Sequence, residues 1–283
     1  MYMATIKAWL RFCGVIALML CAGASGGCAW MSYLGTREGE PQRGKVFYIG
    51  GAGPVGNVVG TFDIPRGLRR AGYRGAIETF GWQAALGGTL RDQTDRDRNL
   101  SQAHRLAQRI RDYQDAYPDA PVDIIALSAG TGIATWALES LDGDRYHVQT
   151  VVYLASSLSR GYDLSAVLGR IDNRLYAFSS AEDPILRYMV PLTGSVDREF
   201  GEGTAAGLYG FTLPRNAGED VRMIYQARLR NRPYKRRYAR YDYYGLHTDA
   251  TSESFVRHVL APLLLRPLNH GEEEWSASAA AER

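Results

Sequence analysis

An α/β fold is predicted, a mostly parallel central sheet of about six strands flanked by helices on both faces. Three observations lead there. Short apolar runs alternate along the chain with longer stretches of helical periodicity. The runs are apolar throughout rather than every second residue, as in strands buried on both faces. One of them, Val122 to Leu127, passes through Ser128-Ala129-Gly130 into Ile133, Ala134, Ala137, Leu138 and Leu141 at helical spacing, so a strand turns sharply into a helix at a serine.

The first residues stand apart from this domain. Lys7 and Arg11 precede the apolar run Phe12 to Ala22, and small residues follow. This is the pattern of a secretory signal over residues 1–27, and the run is too short to span a bilayer. Two processing routes compete. Ala22-Gly23-Ala24 offers ordinary cleavage, whereas Ser25-Gly26-Gly27-Cys28 resembles a bacterial lipoprotein box, with Cys28 as the lipidated residue. Both imply export, to a bacterial cell envelope as a periplasm-facing lipoprotein or as a secreted soluble protein. Cys28 is the only one of the three cysteines beyond the signal, so no disulfide staples the mature chain. Losing Lys7 and Arg11 brings the formal net charge of +3 closer to neutral, and net charge favours no class of partner.

Residues 28–44, polar and glycine-containing, read as a tether, and 45–267 as the domain. Lys45 to Ile49 is the first strand, followed by Gly50-Gly51-Ala52-Gly53-Pro54-Val55-Gly56. Gly51, Gly53 and Gly56 match the dinucleotide fingerprint, and Glu78, in the next strand (Ala76 to Phe80), sits where a ribose-binding acid would. Against that reading, Gly60 and Pro65 interrupt the helix on which a pyrophosphate would rest, so no cofactor is expected. The alternative is a glycine loop presenting backbone N–H groups to a developing oxyanion. The charge run Arg91 to Arg98 reads as a solvated loop. Asn99 and Gln102 form a capping box for a helix with Leu100, Ala103, Leu106, Ala107, Ile110 and Tyr113 on its buried face, ending before Pro118.

Gln149 to Leu154 and Arg174 to Ser179 are further strands, joined by a connection that leaves no room for a large lid domain. Ile185 to Gly218 reads as an irregular stretch flanking or covering a site, and Val221 to Leu229 as the last strand. Arg230 to Tyr244 interleaves Arg or Lys with Tyr, a pattern of anionic-lipid or nucleic-acid binding or of a solvated, locally paired surface. Export argues against nucleic acid. A helix from Thr251 to Leu265, kinked near Pro262, closes the domain, and the acidic, then Ala/Ser-rich residues 268–283 are expected to be disordered. The five histidines are scattered without metal-ligand spacing, so no metal is expected.

In parallel sheets of this kind, sites form at the carboxyl ends of strands. Ser128, Asp183 and His247 each follow a predicted strand, in that order. Ala126-Leu127-Ser128-Ala129-Gly130 is a nucleophile-elbow pattern with alanine for the first glycine. Over residues 45 to 266 the chain therefore resembles the α/β-hydrolase superfamily, and its exported esterase- and lipase-like members in particular. The resemblance implies Ser128 as nucleophile, His247 as general base and Asp183 as the carboxylate that orients it. It also implies an oxyanion hole from the Ala129 N–H and one N–H of Gly51 or Ala52. Glu182 and Asp163 are the other acids near enough in sequence to serve. The expected partner is a small-molecule or lipid acyl ester, together with a membrane through the N-terminal lipid. No obligate protein partner is evident. The competing class is a catalytically silent hydrolase fold that binds a component of the envelope.

Overall fold

The computed structural model describes residues 36–84, 88–142, 145–201 and 203–265. The signal read over 1–27, Cys28 and the tail read over 268–283 lie outside the described residues. So does most of the tether. From Thr36 the chain is fastened to the body: the Arg37 amide donates to Ile77 O at 2.7 Å, and Arg69 reaches Glu38 O at 3.0 Å.

Among the described residues six strands make one sheet: β1 (Lys45–Ile49), β2 (Ala76–Thr79), β3 (Val122–Leu127), β4 (Val148–Leu154), β5 (Ile171–Ser179) and β6 (Leu229–Pro233). Their order is β2-β1-β3-β4-β5-β6 and every neighbouring pair is parallel, the mostly parallel sheet expected of strands joined by helical crossovers. Period-two alternation divides each inner strand between two cores. Phe47, Ile49, Ile124 and Ala126 face one core and Val46, Tyr48, Ile125 and Leu127 the other. Both faces are covered, which is why β3 is buried at every residue.

Helices fill the crossovers. α1 (Gly53–Val58) and α2 (Asp63–Arg70) join β1 to β2. They are separate because Gly60 takes a positive φ of 78°, and a side chain there would strike the Tyr48 ring. α3 (Gly88–Thr94) and α4 (Arg96–Ala116) join β2 to β3, and α5 (Gly130–Glu139) follows the serine turn. α6 (Ser165–Leu168) lies between β4 and β5, and α7 (Glu219–Arg228) before β6. The face carrying α2 also carries the C-terminal helical run.

Three expectations are corrected. The run Arg91 to Arg98 is not a solvated loop: it spans the end of α3 and the start of α4, and Asp92 is wholly buried. Asp95, accepting from Arg98 N at 3.2 Å, caps α4, so Asn99 and Gln102 lie inside the helix. Val221 to Leu229 is not a strand. Val221, Ile224 and Tyr225 recur at three and four residues and pack one face of α7 on the core, while the true last strand, at the sheet edge, carries Arg230, Asn231 and Arg232 and little apolar signal.

The stretch from Ile185 to Gly218 contains helical turns at Ile185–Met189, Val190–Thr193 and Ala206–Tyr209, with its own small core of Leu186, Val190, Ala205 and Leu208. The closing helix widens to π geometry at Val256–Leu260, directly before Ala261–Leu265. Pro262, with no N–H and a ring that crowds the preceding turn, accounts for the widening.

Asp123, in the middle layer of the sheet, is fully buried, and its Oδ1 accepts from the Thr150 amide at 3.0 Å. Burial pushes its carboxyl up to about 8, against which the Thr150 bonds act. Because the folded value lies above the unfolded one of about 3.9, the folded state favours the protonated form. The stability this contributes is complete below the unfolded value and is lost as pH rises through about 8. Asp123→Asn keeps an acceptor for Thr150 and cannot ionise. Thermal denaturation across the pH range should show the two proteins nearly equal at pH 4 and the variant increasingly more stable towards pH 8.

Candidate active site

The sheet changes direction of growth once: β1 has β2 on one side and β3 on the other, so the chain leaves the carboxyl ends of β1 and β3 towards opposite faces. A crevice must open there. The glycine loop follows β1 and Ser128 follows β3, which puts both at its rim.

Ser128 holds a φ of 54°, rare for a residue with a side chain and strained. Its neighbours enforce it. The Ser128 amide donates to Leu154 O at 2.9 Å, and Ser128 O accepts from Thr131 N at 3.0 Å and Thr131 Oγ1 at 2.6 Å. The helix beyond can start only because Gly130 is small: a Cβ there would lie 2.3 Å from Gly50 O. Ala126, wholly buried, leaves similar room on the strand side.

Asp183 and His247 form a pair. His247 Nδ1 lies 2.7 Å from Asp183 Oδ2, and Asp183 Oδ1 accepts from Ile185 N at 2.9 Å and Leu186 N at 3.1 Å. These bonds occupy both oxygens of a carboxylate that is 1% exposed. The other candidate acids point elsewhere. Glu182 is exposed, and Asp163, also exposed, accepts from Ser165 N. The loop carrying His247 is held by Asp249, whose Oδ2 accepts from Tyr244 N at 3.1 Å and Leu246 N at 3.3 Å. Burial raises the Asp249 carboxyl above its ordinary range, and those two amides oppose the shift. The Ser128 hydroxyl makes no hydrogen bond among the described residues.

The glycine loop presses on the serine: a Cβ on Gly51 would lie 3.3 Å from Ser128 Cβ. Gly50, Gly51 and Gly56 are glycines because the loop doubles back on α1, where a Cβ on Gly56 would meet Gly51 C and O at 2.3 Å. The amides of Gly51, Ala52 and Ala129 make no hydrogen bond among the described residues. Gly53, the remaining glycine of the fingerprint, takes a φ of 72°, and a Cβ there would lie 2.2 Å from Thr89 Oγ1. Glu78, the fingerprint's ribose-binding acid, pairs with Lys45 at 2.6 Å and Arg109 at 3.8 Å.

Beyond Asp183 the chain exposes Ile185, Tyr188, Met189 and Leu192, the last 77% exposed, and beside His247 it exposes Leu246. An apolar surface thus flanks the pair. The interleaved segment Arg230 to Tyr244 packs Tyr238 and Tyr243 inward against Phe255, at ring separations of 5.3 and 4.8 Å. Its cations lie over the rings, Arg232 above Tyr176 at 5.5 Å and Arg240 above Tyr241 at 4.8 Å.

Sequence reasoning missed four residues that build this site: Trp82, Gln83, Asp92 and Asp249. Trp82 and Gln83 follow β2 at the same edge of the sheet, a positional signal that was available. Asp92 and Asp249 are single acids among polar neighbours, and no periodicity marks them.

No family model matches the chain, and no curated protein sequence matches it. Fourteen solved chains resemble its fold. One is a Trichoderma reesei cutinase in complex with a C11Y4 phosphonate inhibitor, 18% identical over 47% of this chain and 65% of that one, with a TM-score of 0.33. The matched region thus spans just under two thirds of the cutinase. Another is LpqC, a poly(3-hydroxybutyrate) depolymerase from Bordetella parapertussis, 13% identical over 84% of this chain and 85% of that one, with a TM-score of 0.43. The chemistry of the site rests on its own geometry.

Gly130→Ala should force apart the backbones of β1 and α5, lowering stability by about 1–3 kcal/mol. Gly161→Ala, where no atom lies within 4 Å of the added carbon, should stay within about 0.5 kcal/mol of the parent. Denaturant melts of the two variants beside the parent check both.

Proposed function

We propose that this protein is a serine hydrolase that cleaves acyl esters through an acyl-enzyme intermediate. The observation that carries the reading is a serine in a strained turn at the sheet's switch point, on the same edge as a histidine whose Nδ1 is 2.7 Å from a buried carboxylate. A serine hydroxyl is a weak nucleophile until an imidazole removes its proton. In this reading Asp183 fixes the tautomer with the proton on His247 Nδ1, leaving Nε2 as the base. Ser128 Oγ attacks the ester carbonyl as Nε2 takes its proton. The carbonyl oxygen, now negative, is met by the Ala129 N–H and by that of Ala52 or Gly51, each donor lowering the barrier by roughly 3–4 kcal/mol. His247 then protonates the departing alcohol, and water repeats the sequence to release the acid. The missing Ser128–His247 hydrogen bond is of a kind that commonly tightens only with substrate bound.

The exposed apolar residues after Asp183 favour a substrate with an apolar acyl part. The competing reading is a silent fold that binds a component of the envelope, and it draws on the unpartnered Ser128 hydroxyl. One experiment decides between them. A chain-length panel of p-nitrophenyl esters should show turnover in the parent, near-background rates in Ser128→Ala, and a loss of about 10⁴ in kcat for Asp183→Asn with its fold retained. A parent that turns over no ester, and that a fluorophosphonate probe fails to label, overturns the hydrolase reading.

Export and anchoring belong to the same proposal. They are supported by the basic and apolar pattern of residues 1–27 and by Ser25-Gly26-Gly27-Cys28. A diacylglyceryl group on Cys28 would bury two acyl chains, at about 0.8 kcal/mol per CH₂, enough for stable attachment. Cys28→Ser should move the protein from the membrane to the soluble fraction with its ester turnover unchanged. An N-terminus at Ser25 in the parent would show that the ordinary cleavage site is used.

A further inference from the structure

Asp92 is 0% exposed and lies on α3, outside the Ser128–Asp183–His247 group. A buried carboxylate is costly unless its oxygens are bonded, and here they are. Oδ2 accepts from the Gly53 amide at 2.8 Å, and Oδ1 accepts from the Ala84 amide at 2.7 Å and from the Arg98 guanidinium at 3.0 Å. Arg98 also donates to Trp82 O, and Asn99 donates to the main-chain oxygen of Asp92 at 2.6 Å. One carboxylate therefore ties the loop after β1 to the loop after β2, and α4 fixes it from behind.

The loop after β2 returns the hold. Trp82 Nε1 donates to Gly50 O at 2.8 Å, and Gln83 Nε2 donates to Gly51 O at 2.7 Å. In a trans peptide the carbonyl and the following N–H point in opposite directions. Gln83 on Gly51 O thus aims the Ala52 N–H away from Gln83, and Trp82 on Gly50 O does the same for the Gly51 N–H. Asp92 takes the next amide, that of Gly53. An anion approaching Ser128 then meets a loop whose amide directions are set before it arrives, with Gly53 already engaged and the Gly51 and Ala52 amides open among the described residues.

We propose that Asp92, with Gln83 and Trp82, is the positioning device of the oxyanion loop, fixing the directions of the Gly51 and Ala52 amides, one of which is the second oxyanion donor beside Ala129. This rests on the hydrolase reading and deepens it. Asp92 touches no reacting atom. Its effect passes entirely through the direction of one backbone N–H.

Asp92→Asn replaces an acceptor with an NH₂ that must face the Gly53 or the Ala84 amide, so one of the two tethers is lost. With the full chain and a p-nitrophenyl ester, kcat should fall roughly 10- to 100-fold, the scale of a misplaced oxyanion donor. KM and the pH at which the His247-dependent limb rises should stay as in the parent, because the triad is untouched. Hydrogen exchange should quicken in the peptide spanning 50–56. Gln83→Ala, milder and only partly buried, should show the same pattern at smaller amplitude if the first variant does not fold. Tyr225→Phe, which leaves the Leu164 amide without its 2.7 Å acceptor far from the loop, controls for stability: it should lower the melting temperature and leave kcat unchanged.

A parent without Ser128-dependent turnover overturns the hydrolase reading and the oxyanion role with it, while the exchange measurement still reports whether Asp92 holds the loop. Given such turnover, a kcat within twofold of the parent in both loop variants overturns the role of Asp92. So does a shifted pH limb, which would place the damage at His247.

Discussion

Everything at the site depends on how closely the loop after β1 approaches the turn after β3. A Cβ on Gly130 would stand 2.3 Å from Gly50 O, and one on Gly51 would stand 3.3 Å from Ser128 Cβ, so the two backbones are in contact with nothing between them. Such contact is available only at the point where the parallel sheet reverses its direction of growth, since only there do neighbouring strands send their chains to opposite faces. The strain in Ser128 follows from it: the serine must turn at once into α5 to clear the glycine loop, and a φ of 54° is how it does so.

Carboxylates, two of them buried and Asp249 partly so, then hold what close packing has assembled. Asp183, Asp249 and Asp92 each accept from two backbone amides, and each fixes a loop at the carboxyl edge: the turn after β5, the loop carrying His247 and the loop after β1. Carboxylates suit the task because loops have amides left over by the sheet, and a charged acceptor satisfies two of them with bonds stronger than a neutral group gives.

The fold was largely legible in the sequence, because strands buried on both faces leave uninterrupted apolar runs. Val122 to Leu127 was read within its observed limits. Legibility failed where that signal was weak or ambiguous. β6 is half-exposed and basic, so the apolar residues of α7 just before it drew the strand assignment away. The residues Ser128, Asp183 and His247 stood out because chemistry restricts their type and the topology their place. Asp92 did not, since a charged residue between Arg91 and Gln93 reads as solvated until tertiary contacts bury it. The polar stretch from Thr36 likewise gave no sign that it would bond to the edge of β2.

That last contact bears on how the molecule meets its own copies. A six-stranded sheet has two lateral borders, and an unpaired border is a template for further strands. Along β2 the border is partly closed from within by Arg37, bridged antiparallel to Ile77. Along β6 it carries Arg230 and Arg232 and ends in Pro233, which has no N–H to offer. An incoming strand would have to desolvate guanidinium groups on one side or displace the molecule's own chain on the other. Neither border invites growth, so the sheet as it stands offers no ready template for a second copy.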